Sequence, residues 1–179
     1  KAATNAAEYL VLTAPELDAA AQALADYRRA QGLRAMVVWL EDIYDEFNDG
    51  IVDPHAVRTF LAYASSNWLV APHYVVLAGA GTYDYKNAMG YDENWVPPKM
   101  IGTPQGLYAW DGWFGDINGD GTAELAVGRL PAANLDELQN LVVMIQAYEQ
   151  GPAGAWPQNV LLVADDPDKG GDFTASSEA

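Results

Sequence analysis

The sequence predicts an α/β fold, a mainly parallel sheet with helices on both faces laid down in βαβ order. Three observations predict it. Short apolar runs at 8–13, 33–40, 73–79, 124–129 and 159–164 alternate with segments of helical spacing, which is the signature of parallel strands joined by crossover helices. Val37-Val-Trp-Leu40 is continuously apolar, as strands buried on both faces of a parallel sheet are. Half of the 179 residues are hydrophobic, enough for one substantial core, or for one domain and the start of a second.

Glu8-Tyr-Leu-Val-Leu-Thr13 is the first expected strand, and Leu17, Ala20, Ala21, Leu24 and Tyr27 then keep helical spacing up to Gln31, where Gly32 can cap the helix. Leu33 to Leu40 is the second strand, expected to lie buried. Glu41 to Gly50 reads as a polar connector with aromatic anchors and room for one helical turn. Asp53 is a suitable N-cap and Pro54 a suitable first helical residue, and Val57, Phe60, Leu61, Ala64 and Trp68 form an apolar stripe over 54–68. The third strand, 73–79, runs into Gly79-Ala-Gly81, a Gly-x-Gly without the third glycine or the following helix of a dinucleotide site.

Residues 85–108 carry six Gly and Pro with Tyr91 and Trp95 among them, and read as an ordered excursion because their aromatic rings need burial. Residues 124–129 form the fourth strand. Asn134 and Glu137 make a capping-box-like start to a third helix, which runs to about Gln150 through Leu138, Leu141, Val142, Ile145 and Tyr148. Gly151-Pro-Ala-Gly154 breaks the chain, and 159–164 is a fifth strand ending in Asp165-Asp166. Two domains are expected: 1–150 a first α/β subdomain, and 151–179 a linker with the first strand of a second, truncated one.

Twenty-five acids against nine Lys plus Arg give a formal charge of −16, which repels phosphate backbones and anionic lipid, so neither nucleic acid nor a membrane is an expected partner. No apolar run approaches a membrane span, and Lys1-Ala-Ala-Thr-Asn-Ala6 has no apolar signal core. No cysteine is present, which excludes a thiolate nucleophile within these residues. The two histidines, His55 at a helix start and His73 before a strand, accompany no Gly-x-Ser-x-Gly or His-Glu-x-x-His pattern, so both are read as structural. No catalytic and no organic-cofactor residue is assigned. Of the residues at the carboxyl ends of the expected strands, Arg129 is the strong cation, and it is expected to hold Asp84 or Asp111 in an ion pair rather than bind a substrate anion.

The stretch Asp116-Ile-Asn-Gly-Asp-Gly-Thr-Ala-Glu124 is the chemically pointed one. Asp116, Asn118 and Asp120 alternate, and Glu124 follows, so oxygen ligands can converge on one hard cation. Position twelve counted from Asp116 is Val127, not the glutamate of an EF-hand. Two readings stand: a Ca²⁺ loop of Asp116, Asn118, Asp120, the Thr122 carbonyl and Glu124, or a hairpin turn in which Asn-Gly and Asp-Gly supply positive φ.

A succession of segments resembles the gingipain-like cysteine peptidases, family C25 of the caspase-like clan. They are Glu8-Tyr-Leu-Val-Leu-Thr-Ala-Pro15, Tyr27-Arg-Arg-Ala-Gln-Gly32, Tyr74-Val-Val-Leu-Ala-Gly-Ala-Gly-Thr-Tyr-Asp84, Asp116 to Pro131, Ile145-Gln-Ala-Tyr-Glu149 and Asn159-Val-Leu-Leu-Val-Ala-Asp-Asp166. The resemblance implies a caspase-like α/β unit of two adjoining subdomains, the first non-catalytic and the second bearing a His-Gly and a later Cys. This chain corresponds to the first subdomain and the opening strand of the second. Neither His55 nor His73 inherits a role, while Asp165 or Asp166 matches an acid that orients the family's histidine. The resemblance further implies secretion to the exterior or the cell surface, and two partners: a catalytic subdomain outside this chain and, through it, protein or peptide substrates. A calcium-stabilised binding or scaffold module is the alternative. A receiver domain, suggested by Leu161-Leu-Val-Ala-Asp-Asp166, ranks last: it needs a further Asp and a Lys on later strands, and these residues end before either could occur.

Overall fold

The computed structural model describes residues 2, 4–90, 94–104, 106–151, 154, 171, 172, 174 and 175. The chain divides into two compact units, Lys1–Tyr148 and Glu149–Ala179. In the second, the Ala175 amide donates to Asp172 Oδ1 at 3.0 Å. The fifth strand expected at 159–164, with Asp165 and Asp166, lies outside the described residues.

The first unit is built on a four-stranded sheet, β1 (Tyr9–Thr13), β2 (Ala35–Trp39), β3 (Tyr74–Ala78) and β6 (Ala126–Leu130), in the order β2-β1-β3-β6. Every pairing is parallel, with Val11 opposite Val37 on one side and Val76 on the other. The central strand β1 is buried along its whole length and feeds two cores, as the two-residue period of a strand dictates. Leu10 and Leu12 pack with Ile43, Val57, Phe60 and Leu61 of α2 (Leu40–Asn48) and α3 (Pro54–Asn67). Tyr9 and Val11 pack with Leu24 of α1 (Asp18–Ala30) and with Leu138 and Val142 of α5 (Leu135–Gln150). Helices therefore cover both faces, as the strand and helix spacing predicts.

Two expectations need correction. β2 is not buried on both faces: it ends the sheet order, its residues are half-buried, and Trp39 is 40% exposed. A continuous apolar run marks a strand covered by helices, but it does not distinguish a central strand from a last one. The connector at 41–50 is not a single turn but the nine-residue helix α2. Its buried Leu40, Ile43 and Tyr44 keep helical spacing, and tertiary packing stabilises a segment whose acids obscure the pattern.

Helix caps follow the sequence closely. Asp53 caps α3 through the His55 amide at 2.8 Å. Asn134 Oδ1 accepts from the Glu137 amide at 3.0 Å, and Glu137 reaches back to the Ala133 amide at 2.8 Å. The excursion after β3 contains a small antiparallel pair, β4 (Met100–Thr103) with β5 (Gly106–Ala109), and then the short helix α4 (Gly112–Gly115). Its segment 94–98 folds back over the carboxyl end of β3. The Val96 amide donates to the Ala80 carbonyl at 3.0 Å, Val96 is fully buried, and a Cβ at Gly81 would collide with the Val96 carbonyl. Gly79-Ala-Gly81 thus leaves room for protein backbone, not for a dinucleotide. Among the described residues, no helix is long and apolar enough to cross a membrane.

Candidate metal centre

The acidic turn joins α4 to β6 and is tied at both ends. Phe114 before it and Leu125 after it are buried in the core shared with α2 and α3. The Gly115 carbonyl accepts from both the Glu124 amide (3.0 Å) and the Leu125 amide (3.2 Å), which closes the loop. A side chain at Gly115 would press on the Leu125 carbonyl, so glycine permits the approach. Within the described residues β6 pairs only with β3, in parallel, so the turn is not the tip of a β-hairpin. Its positive-φ positions are Gly119 and Gly121, at +84° and +90°.

Asp116 is the hub. It is 6% exposed, and its carboxylate accepts from the amides of Gly119 (2.7 Å), Asp120 (3.1 Å) and Gly121 (3.1 Å). Two further Asx turns follow, the Asp120 amide on Asn118 Oδ1 and the Thr122 amide on Asp120 Oδ1, both 2.8 Å. The wrapping draws Asp116, Asp120 and Glu124 together, so that one carboxylate oxygen of each lies within 4.8 Å of the others. Calcium–oxygen bonds of about 2.3–2.6 Å place two ligands of one ion at most about 5 Å apart, so this spacing fits a single cation. The Asn118 amide nitrogen lies between two of these acids, 2.6 Å from Glu124 Oε1 and 3.2 Å from Asp120 Oδ2. For Asn118 to serve as a ligand its amide must turn its oxygen inward, which gives up its bond from the Asp120 amide. Thr122 is placed by its amide bond to Asp120. All five expected ligand residues therefore sit on one loop, with the three carboxylates converging.

The sequence gives no sign of the cationic partner. Arg58, from α3, brings Nη2 to 3.7 Å from Asp116 Oδ1 and also donates to the Asp116 carbonyl. The same guanidinium lies 4.6 Å over the Trp113 ring, and the Lys99 ammonium lies 4.9 Å over it. His55 meets that ring edge-on at 4.9 Å and bonds Asp53 through Nδ1 at 2.8 Å. These residues come from three distant segments, and no local spacing links them. Burial raises the Asp53 carboxyl, but the His55 amide and ring, helped by Lys99, outweigh it and hold Asp53 below the ordinary aspartate range.

His73 stands just before β3, and Arg129 lies within β6. The His73 amide donates to the Glu8 carbonyl at 2.9 Å. Arg129 grips Asp111 with two bonds and donates through Nη1 to the carbonyls of Gly79 (2.9 Å) and Val96 (2.7 Å). Asp84, the other expected partner, instead accepts from the amides of Ala88 and Met89.

Comparisons with known proteins agree with this architecture. The sequence profile of peptidase family C25 matches residues 2–179. Dimeric latent PorU from Porphyromonas gingivalis superposes with a TM-score of 0.70 at 22% identity, over 87% of this chain and 17% of that one. The Arg-specific cysteine proteinase gingipain R (RgpB) gives 0.60 at 20% identity, over 78% and 28%. The complex of the Porphyromonas gingivalis RgpB pro- and mature domains gives 0.59 at 20% identity, over 78% and 29%. The chain thus spans well under a third of the length of these structures. No curated protein sequence matches it. With a family profile that runs along nearly its whole length and a parallel sheet clad on both faces, the chain belongs to peptidase family C25.

Proposed function

We propose that the chain is the first, non-catalytic α/β subdomain of a gingipain-like cysteine endopeptidase that acts outside the cell or at its surface. Residues 1–150 form that subdomain, and 151–179 lead into a second. Peptide-bond hydrolysis needs a thiolate and a base, which the second subdomain supplies from outside this chain. One observation carries the reading: a chain matched to a cysteine peptidase family over residues 2–179 contains no cysteine. Its work is then to hold the catalytic subdomain, and protein or peptide substrates meet the enzyme through that partner.

In the same reading the acidic turn holds a structural Ca²⁺ through Asp116, Asn118, Asp120, the Thr122 carbonyl and Glu124. The convergence of three carboxylates within 4.8 Å supports it. Ca²⁺ suits an irregular shell with a carbonyl ligand better than Mg²⁺, which prefers strict octahedra and retained water. The bound ion would neutralise the acids and fix the loop that leads into β6.

The reading frame beyond residue 179 tests the assignment. A His-Gly followed by a Cys supports the peptidase subdomain. Their absence would overturn it in favour of a calcium-stabilised binding module.

A further inference from the structure

Among the described residues, β2 is the last strand of the sheet and pairs only with β1. The Tyr9 amide donates to the Arg34 carbonyl, and backbone groups alternate sides along a strand, so Ala35, Val37 and Trp39 turn their N–H and C=O groups away from β1. Arg29 Nε covers the Ala35 carbonyl at 2.9 Å. Among the described residues, that leaves Val37 at the centre of an open edge. Ala35-Met-Val-Val-Trp39 contains neither lysine nor proline, the residues that ordinarily blunt an edge.

Each face of this strand adjoins a hollow with an acidic rim. On one face, a cavity of about 260 Å³ lies against Met36 and Val38, is floored by Phe47 and Trp68, and has the exposed Asp42 and Glu46 among its lining. On the other, a hollow of about 250 Å³ is lined by Val37, Trp39, Gln22, Asp18 and Asp42. Asp18 also accepts from the Trp39 indole at 2.7 Å, which fixes that wall. The cations near β2, Arg29 and Arg34, stand at its amino end, where Arg29 is paired with Asp26 at 2.5 Å. The acids gather toward its carboxyl end.

We infer that β2 is a strand-addition site for an extended, positively charged peptide segment. The added strand bonds Val37 through its backbone and sends alternate side chains to the two hollows, apolar ones over Met36 and Val38 and cations beside Asp18 and Asp42. The net charge of −16 draws such a segment in and repels an acidic one. β2 and the acidic turn before β6 belong to opposite ends of the sheet order, so this site is independent of Ca²⁺ and of the peptidase assignment.

The test titrates the chain into a fluorescent octapeptide alternating valine with lysine and follows anisotropy. Two further versions carry N-methyl groups on every second amide, in opposite phases. Strand addition predicts saturable binding that falls at least tenfold for one phase and persists for the other, whose methyls point away from β2. It also predicts weaker binding by Asp42→Asn, an exposed position whose variant should keep the wild-type melting temperature, and slowed hydrogen exchange at the Val37 amide on binding. Absence of saturable binding, equal binding by both phases, or equal binding of a valine–glutamate octapeptide would each overturn it. So would a chain that dimerises and is returned to monomer by Val37→Pro, since the occupant would then be a second copy.

Discussion

The Arg129 guanidinium holds the Asp111 carboxylate by two parallel hydrogen bonds, Nε to Oδ2 at 2.6 Å and Nη2 to Oδ1 at 2.8 Å. Because Nη1 also serves the Gly79 and Val96 carbonyls, one side chain from β6 fastens the excursion after β3 back onto the sheet. The pair is largely buried, with side-chain exposures of 14% and 26%.

Arg129→Met should therefore destabilise the protein by about 3–5 kcal/mol, since it strands a carboxylate and two carbonyls. Arg129→Lys should recover only part of the loss, because an ammonium lacks the planar fork. Urea denaturation of the three proteins measures it. Equal stabilities would show that the excursion is held elsewhere.

Tyr44 carries a buried hydroxyl with no hydrogen-bond partner among the described residues. Burial, and then the charge of Asp53, push its phenol well above the ordinary tyrosine value. A raised phenol favours folding fully below about pH 10, and that contribution is lost as pH rises through the folded value. Tyr44→Phe removes the unpaired group, so it should be neutral or stabilise by up to about 1–3 kcal/mol at neutral pH. It should also flatten the alkaline loss of stability. A loss of more than about 1 kcal/mol would reveal a partner for the hydroxyl.

For Asp53 the sign is opposite. Its carboxyl lies below the ordinary value, so its charge stabilises the fold above about pH 4, and the contribution disappears as pH falls through the lowered value. Asp53→Asn keeps a capping oxygen for α3 but has no charge to lose. Wild type should exceed this variant at pH 6 and converge with it in acid, followed by thermal melting. A constant difference at both pH values would rule out the carboxylate's charge as the cause.

The acidic turn gives a calcium-specific expectation. Melting temperature should rise with free Ca²⁺, corresponding to about 2.7 kcal/mol at a hundredfold excess over Kd, and Asp116→Asn with Asp120→Asn should abolish the rise. Asp116→Asn alone should lower stability even with chelator by about 1–3 kcal/mol, because its carboxylate accepts three backbone amides. Equal melting with calcium and with chelator for wild type would leave the turn as a metal-free loop held by its own side-chain-to-backbone bonds.

The four strands of the parallel sheet and the caps at Asp53 and Asn134 were legible in the sequence because their determinants are local. Apolar runs, helical spacing and side chains two or three residues from their backbone partners suffice. The convergence of Asp116, Asp120 and Glu124 on one loop was legible for the same reason. Arg58 was not, since it reaches Asp116 from 58 residues away. The edge position of β2 was hidden too, because strand order depends on which neighbours pair and not on the composition of the strand. The choice between Asp84 and Asp111 for Arg129 turned on the path of the excursion, which Gly and Pro punctuate without directing.

Peptidase turnover tests the central claim most directly. The purified 179-residue chain, offered arginine-, lysine- and mixed-sequence peptide substrates under reducing conditions with Ca²⁺, should give only background hydrolysis, because it contains no cysteine to form the nucleophile. Turnover that co-purifies with the chain to homogeneity and scales with its concentration would contradict a non-catalytic subdomain.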